Sequence, residues 1–328
     1  MHMPACTARG RRDALLSLLA GCLPLGACAG LAPLRVRPIE LAPGVYMAPG
    51  TGGAADEQNR GRIGNSGFIV GDRGVIAVDT GTSYAHGREL LAAIRETTEQ
   101  PVRMALITHT RPEFLFGGAA FREAQIPIRM HRRTSGLMAS RCESCLKTLR
   151  QTLGEPAMRG TTMYKPDQEF DATHELDLIG RPVRVLHFGH SSGPGDSAVL
   201  DVRSGVLFAG GLLDVQRIPD IQDSDLEGWR KALRELRQLR VARVVPGHGA
   251  AATAQAIDGV EGYLKALELR VRALLAAGTS LLDVAEVCEL PDYEAWDQYD
   301  LIHRRNASVA YLRFEREFFY GLDVLAGW

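Results

Sequence analysis

The chain has almost no net charge: 38 Lys and Arg stand against 39 Asp and Glu in 328 residues, leaving −1. That removes the basic excess of a nucleic-acid binder and the acidic excess of a disordered tail. Beyond the N-terminus no unbroken apolar run is long enough to span a bilayer. No fixed short period recurs, which argues against a repeat architecture. Cysteine is sparse, six in all, and three of these (Cys6, Cys22 and Cys28) fall in the first 28 residues. The Cys142-x-x-Cys145 pair is followed by Leu146 and not by His, so it cannot carry a c-type haem. No Gly-x-Ser-x-Gly elbow surrounds Ser191 and Ser192, which leaves them as turn residues. What remains is a globular composition, 45% hydrophobic and 23% charged, long enough for one large or two ordinary domains.

The N-terminus has the build of an export signal. Arg9, Arg11 and Arg12 precede an apolar segment from Ala14 and then small residues. Cys22 and Cys28 each close a lipobox-like tetrapeptide, Leu-Ala-Gly-Cys22 and Leu-Gly-Ala-Cys28. The first leaves a very short hydrophobic segment, so Cys28 is the expected lipidated residue; a soluble form cleaved near Ala29 is the alternative. The Arg11-Arg12 pair matches a twin-arginine signal weakly. A periplasmic lipoprotein is expected, touching the membrane only through its lipid. In that oxidising compartment Cys142 and Cys145 read as a disulfide or a packed thiol pair in mid-helix, and Cys288 as a buried helix thiol.

Along the rest of the chain, a Gly-rich loop precedes "GFIVGDRGVIAVDTG", two apolar runs joined by hairpin chemistry. "AHGRELLAAIRETT" predicts an amphipathic helix, "VRMALITH" a buried strand, and Arg132 to Leu153 a long helix. "RPVRVLHFG", "SAVLDVRSG" and "GVLFAGG" predict consecutive strands. "SDLEGWRKALRELRQL" opens with a capping box, Ser224 with Glu227, and sets Leu226, Trp229, Leu233 and Leu236 on one face. "ARVVPGHG" is a strand ending in a Gly-flanked His, and from Thr253 the chain reads as helical. The polar runs His131-Arg132-Arg133 and His303 to Asn306 are expected to be solvated charge and helix-start polarity. Two sheets covered by helices on both outer faces accommodate this order.

Three histidines end strands or sit in Gly-rich turns, where binding loops project from a rigid sheet: His109 in "LITHT", His190 in "FGHSSGPGD" and His248 in "VVPGHGA". With Asp79 in "IAVDTG", they make the chain resemble the metallo-β-lactamase superfamily. "VIAVDTG", "LITHTRPEFLFGGAAF", "FGHSSGPGDSAV", "VLFAGGLL" and "VVPGHG" match in order, over roughly Pro43 to Ala250. The helical tail, with "YDLIHRRNASVAYLRFEREF", looks more particularly like the quinoprotein-relay zinc metallohydrolases, SoxH-like exported proteins. The resemblance implies a four-layer αββα metallo-β-lactamase sandwich at 43–250 with a helical C-terminal extension at 251–328, after a signal (1–28) and a linker (29–42). It implies a hydrolase associated with quinone-dependent oxidation, with a quinoprotein dehydrogenase or cytochrome as a partner.

Residue by residue, the family's ligand pattern is only partly met. At the imidazole positions of the first zinc stand His109 and His190, but the third position is Arg111, and a guanidinium has no lone pair to give. At the second-zinc positions stand Glu113, Phe114, Gly211 and His248. Asp79 matches a supporting aspartate. The retained set is His109, His190, His248 and Glu113, enough for one zinc at most, with Asp214 and His187 close by in sequence. With a metal, Glu113 would orient the attacking water and carry its proton. Without one, Arg111 makes an anion-binding pocket for a small ligand or partner, either free or paired with Glu113.

Overall fold

The computed structural model describes residues 35–320, with side chains to 317. The export signal, with Cys22 and Cys28, lies outside the described residues. The first apolar runs form a meander: β1 (Ile39–Ala42), β2 (Val45–Ala48), β3 (Ser66–Gly71) and β4 (Gly74–Val78). The expected hairpin closes with Gly71 opposite Gly74. Helix α1 (Tyr84–Thr97) then crosses to β5 (Val102–Ile107), and α2 (Pro112–Leu115) and α3 (Gly118–Glu123) lead to β6 (Ile128–His131). The long α4 (Arg132–Met158) returns to β7 (Gln168–Phe170). These strands make a seven-stranded sheet in sequence order, antiparallel to β4 and parallel from β4 to β7.

A second sheet contains β8 (His174–Leu176), β9 (Val183–His187), β10 (Ser197–Asp201), β11 (Val206–Gly210) and β12 (Arg243–Pro246), in the order β12-β11-β10-β9-β8. Alternate side chains explain how the sheets stack. Ile69, Ile76, Met104 and Leu106 meet Val185, Val199, Phe208 and Val245 between the sheets. Phe68, Ala77, Ala105 and Ile107 point the other way and are covered by α1, α3 and α4 through Leu90, Ile94, Phe121 and Met138. Leu186, Ala198, Leu207 and Val244 are covered by α5 (Leu226–Arg237), α6 (Ala256–Ala276) and α8 (Arg304–Tyr320). Helices, sheet, sheet and helices thus form the expected four layers. Strands buried on both faces carry no polar alternation, which is why β4 and β11 read as unbroken apolar runs.

Several local expectations are corrected. The cap of α5 is Asp225, whose carboxylate accepts the Gly228 N–H at 2.5 Å; Ser224 instead donates to the Ile221 carbonyl. The strands β7 and β8, three residues each, gave no periodic signal. The C-terminal region is not continuously helical. After α7 (Leu281–Val287) come a 3₁₀ turn at Pro291–Tyr293 and a π-helical segment at Tyr299–His303. His303 and Asn306 are buried and not helix-start decoration: His303 bridges Tyr263 (3.0 Å) and the Cys288 carbonyl (2.6 Å). His131 is also buried, stacked at 3.9 Å on His187, while Arg132 remains exposed and pairs with Asp171.

Candidate functional site

Five chain segments converge at one edge of the sandwich, each brought there by a strand end. Asp79 follows β4, His109 to Arg111 follow β5, Asp196 precedes β10, Asp214 follows β11 and His248 follows β12. Asp79 takes a left-handed φ of 57°, which a non-glycine residue adopts at a cost. The turn aims its carboxylate at Thr108, whose N–H and hydroxyl both donate to it at 2.8 Å. Asp79 therefore fixes the strand end that carries His109. Burial pushes its carboxyl up to about 7, with the Thr108 bonds holding it back. Asn65 pins the far side, donating to the carbonyls of Pro246 and Gly249 on either side of His248.

The centre of the site is a set of crossed ion pairs. His248 Nδ1 lies 2.8 Å from Asp214 Oδ1 and its Nε2 3.1 Å from Glu113 Oε1. Arg111 does not pair with Glu113; its guanidinium faces Asp214 Oδ2 at 3.6 Å and donates to the Asp220 carbonyl at 3.2 Å. Burial opposes charge on His248, but Asp214 and Glu113 outweigh it and raise the imidazole above its ordinary value. Burial would likewise raise Glu113, yet His248 and Arg111 hold it at about 2. Asp214 is held below the usual carboxylate range against burial by His248, Arg111 and Arg217. His248 is thus flanked by two carboxylates that favour its charged form, and Arg111 faces one of them from the other side.

His109 is held differently. Its Nδ1 accepts the Arg111 N–H at 2.9 Å, so Nε2 carries the proton and faces Asp196 Oδ2 at 3.3 Å without bonding geometry. Burial, and then Arg111, push its pKa well below the ordinary value. Asp196 accepts from the Ser192 hydroxyl, keeps Oδ1 unpartnered and is raised to about 7 by burial. The ring of Phe114, fully buried, fills the space between the two imidazoles, 5.9 Å from His109 and 5.6 Å from His248.

The structure brings His109, Glu113 and His248 together and leaves His190 apart. His190 is exposed, with Nε2 2.7 Å from the Asp223 carbonyl. His187 supports the Asp196 backbone through its Nδ1 at 2.9 Å from that carbonyl. Asp214, noted only as a neighbour in the sequence, is a principal member; Asp196 and Asp220 were missed, and only the turn "SSGPGD" before β10 could have signalled Asp196. These donors do not fit a zinc ion. Both nitrogens of His248 are occupied by carboxylates, Arg111 offers no lone pair, and Nε2 of His109 is protonated. Among the described residues no group of three or more His, Cys, Asp or Glu is arranged to hold a metal.

Above this cluster lies a cavity of about 190 Å³, lined by His109, Arg111, Arg141, Cys142, Cys145, Ser192, Asp220 and Asp223 among others. Arg111 reaches it with a side chain 15% exposed, enough for contact with a ligand. Cys142 and Cys145 both face this cavity and are free thiols in this structure.

The family model of the metallo-beta-lactamase superfamily matches residues 59–248, more than half of the chain, and the chain belongs to that superfamily. It is a hydrolase-like protein of that fold. A linear primary-alkylsulfatase from Pseudomonas sp. (strain ATCC 19151) is 23% identical over 215 residues, 56% of this chain and 40% of that protein. The chain thus spans about two fifths of the length of this curated relative. A metallo-beta-lactamase from Pontibacter korlensis superposes with a TM-score of 0.59 at 19% identity, over 70% of this chain and 99% of its own. One from Pseudomonas aeruginosa in its mono-zinc form gives 0.56 at 18%, over 71% and 96%. At these identities the likeness speaks for the fold alone.

Proposed function

We propose that this chain works without a resident zinc ion, as an exported accessory protein that holds a small anionic or zwitterionic ligand in the cavity beside Arg111. The observation that carries this reading is the double occupation of His248 by Asp214 and Glu113. A histidine whose two ring nitrogens both meet carboxylates has no nitrogen left for a metal, and freeing it would strand two buried carboxylates. The name of the alkylsulfatase relative adds direction, since an alkyl sulfate is an anion that a guanidinium complements. The N-terminal sequence pattern of an export signal, with Cys28 as the expected lipidated residue, supports a role in the periplasm at the membrane surface. The resemblance of the C-terminal region to the quinoprotein-relay proteins suggests service to a quinone-dependent dehydrogenase or its cytochrome.

A second reading, a hydrolase with a single zinc ion, is favoured by the unpartnered buried atoms His109 Nε2, Asp196 Oδ1 and Asp214 Oδ2. Elemental analysis of the purified chain separates the two, with His109→Ala and His190→Ala alongside. The metal-free reading expects no stoichiometric zinc, no thermal stabilisation by added zinc, and stabilisation by a short-chain alkyl sulfate that Arg111→Leu removes. Stoichiometric zinc lost in both histidine variants would establish the hydrolase instead.

A further inference from the structure

Two thiols open on the same cavity as Arg111 and take no part in the crossed ion pairs. Cys142 and Cys145 stand one turn apart on α4; Cys142 is 2% exposed and Cys145 is half-buried. Both line the cavity, whereas Cys288, the other described thiol, is buried beneath the C-terminal helices. Cys142 Sγ donates to the Thr110 carbonyl at 3.8 Å, between His109 and Arg111. The rim carries two charges of each sign, Arg111 and Arg141 against Asp220 and Asp223. A cavity of about 190 Å³ is smaller than the ~300–1,000 Å³ that encloses a drug-sized ligand, so it takes one short arm of a longer molecule.

We propose that Cys142 and Cys145 form a thiol–disulfide exchange site whose substrate is a small disulfide with zwitterionic, amino-acid-like arms. Cys145, the more accessible, attacks as thiolate: its sulfur bonds to one substrate sulfur, the substrate S–S bond breaks, and one arm leaves as a thiolate that takes up a proton from water. Cys142 then gives up its proton to solvent and attacks the Cys145 sulfur of the mixed disulfide, releasing the second arm. The two protein thiols lose two electrons in forming their disulfide, and the substrate gains them in becoming two thiols. No other oxidant is needed.

Three features support the assignment of roles. The proximity of Cys142 lowers Cys145 to about 7, while the same neighbour pushes Cys142 up. Residues three apart on a helix have Cβ atoms ~5–6 Å apart, against ~3.5–4.5 Å in a disulfide, so closure tightens α4 and leaves the bond readily reduced. Closure also takes the S–H donor from the Thr110 carbonyl, which ties the oxidation state to the loop carrying His109 and Arg111. None of this rests on the metal-free reading.

The test uses the full chain, reduced, freed of reductant, exposed to oxidised glutathione, alkylated and digested with trypsin. Arg141 and Lys147 bound a peptide that contains both cysteines, so their state is read directly from its mass, apart from every other cysteine. The expected result is the internal disulfide in this peptide, with a glutathione adduct trapped on Cys145 in Cys142→Ser and no adduct in Cys145→Ser. An uncharged disulfide such as hydroxyethyl disulfide should react about tenfold more slowly, having no charges for the rim to complement. A wild-type peptide that stays in the dithiol form while Cys288 is equally unreactive would overturn the exchange site, and it does so even if a variant fails to fold. Equal rates for the two disulfides would overturn the substrate class.

Discussion

The His109 ring occupies the space into which a side chain at Gly211 would project: a Cβ built there would stand 2.0 Å from His109 Cδ2 and 2.7 Å from Nε2. The position at which the family resemblance would put a bridging ligand is therefore closed by another residue of the site. Glycine is required at 211 by packing, independently of any backbone preference.

Gly211→Asp accordingly gives a less stable protein and no zinc site. Overpacking of this kind costs about 1–3 kcal/mol, read as a lowered urea midpoint. Zinc content should remain below stoichiometric, because His248 stays engaged. Recovery of a full zinc equivalent in Gly211→Asp would show that the imidazoles rearrange more freely than their bonds imply.

Removing one carboxylate from His248 leaves the other charges buried and unbalanced. Asp214→Asn should cost about 3–5 kcal/mol, the usual penalty for breaking one side of a buried pair. Glu113→Gln should cost less, because Asp214 still faces His248 from the other side. A double-mutant cycle between Asp214 and His248 is expected to show coupling well beyond the error of chemical denaturation; additivity would mean that the pair contributes nothing.

The same groups set a pH profile. Glu113, held at about 2, and Asp214, held low, stabilise the fold above their unfolded values of about 4, and this is lost as pH falls toward their folded values. His248 is raised, so its contribution is complete below about 6.5 and is lost as pH rises through the folded value. Asp79 and Asp196, at about 7 in the fold, favour the protonated form and lose their contribution as pH rises from about 4 through 7. The buried histidines His86 and His109, both lowered, act in the opposite sense and lose their contribution as pH falls below about 6.5, so the share of a raised carboxyl is read by difference from a variant. Relative to the unsubstituted chain, Asp196→Asn should lose more stability at about pH 5 than at about pH 8. Urea melts of both proteins at the two pH values decide it, and an equal loss at both would contradict the raised Asp196.

In the C-terminal region, Asn306 donates to the Pro219 carbonyl (2.7 Å) and to the Tyr263 hydroxyl (2.9 Å), and its own oxygen accepts the Ile221 N–H (3.2 Å). Asn306→Ala leaves these buried groups unpaired and should cost about 1–3 kcal/mol for each that water cannot reach. A cost no larger than that of an exposed helix position, measured against Arg316→Ala, would show that water replaces it.

The layered fold was legible because it rests on period and punctuation. Apolar runs such as "VIAV" and "VLFAG" are short, Gly-bounded and buried on both faces, so the two-sheet reading followed from the strands alone. Individual residues at the site were legible too, since a histidine at a strand end is conspicuous. Their partners were not. Nothing in the spacing of Arg111 and Glu113 tells that each would turn to a residue more than 100 positions away, Arg111 to Asp214 and Glu113 to His248. The burial of His303 and Asn306 was hidden for the same reason: a polar residue is recognised as interior only when its distant acceptor is known. The α5 cap falls one residue later than expected because Ser224 and Asp225 are both good caps, and the choice is made by the local turn that ties Ser224 to Ile221 and the long-range bond from Asp225 N–H to Ser191.

Arg111 donates to the carbonyl of Asp220, and Asp220 lies in a short segment gripped by α8: Asn306 holds Pro219 and Ile221 on either side, and Arg305 pairs with the Asp220 carboxylate at 2.6 Å. The C-terminal helix is thereby the back wall of the cavity's main cation, although more than 190 residues of chain separate them. Anything that bends or shifts that helix moves the point against which Arg111 is braced. One guanidinium of the site thus rests on a scaffold whose footing is laid by the last described helix.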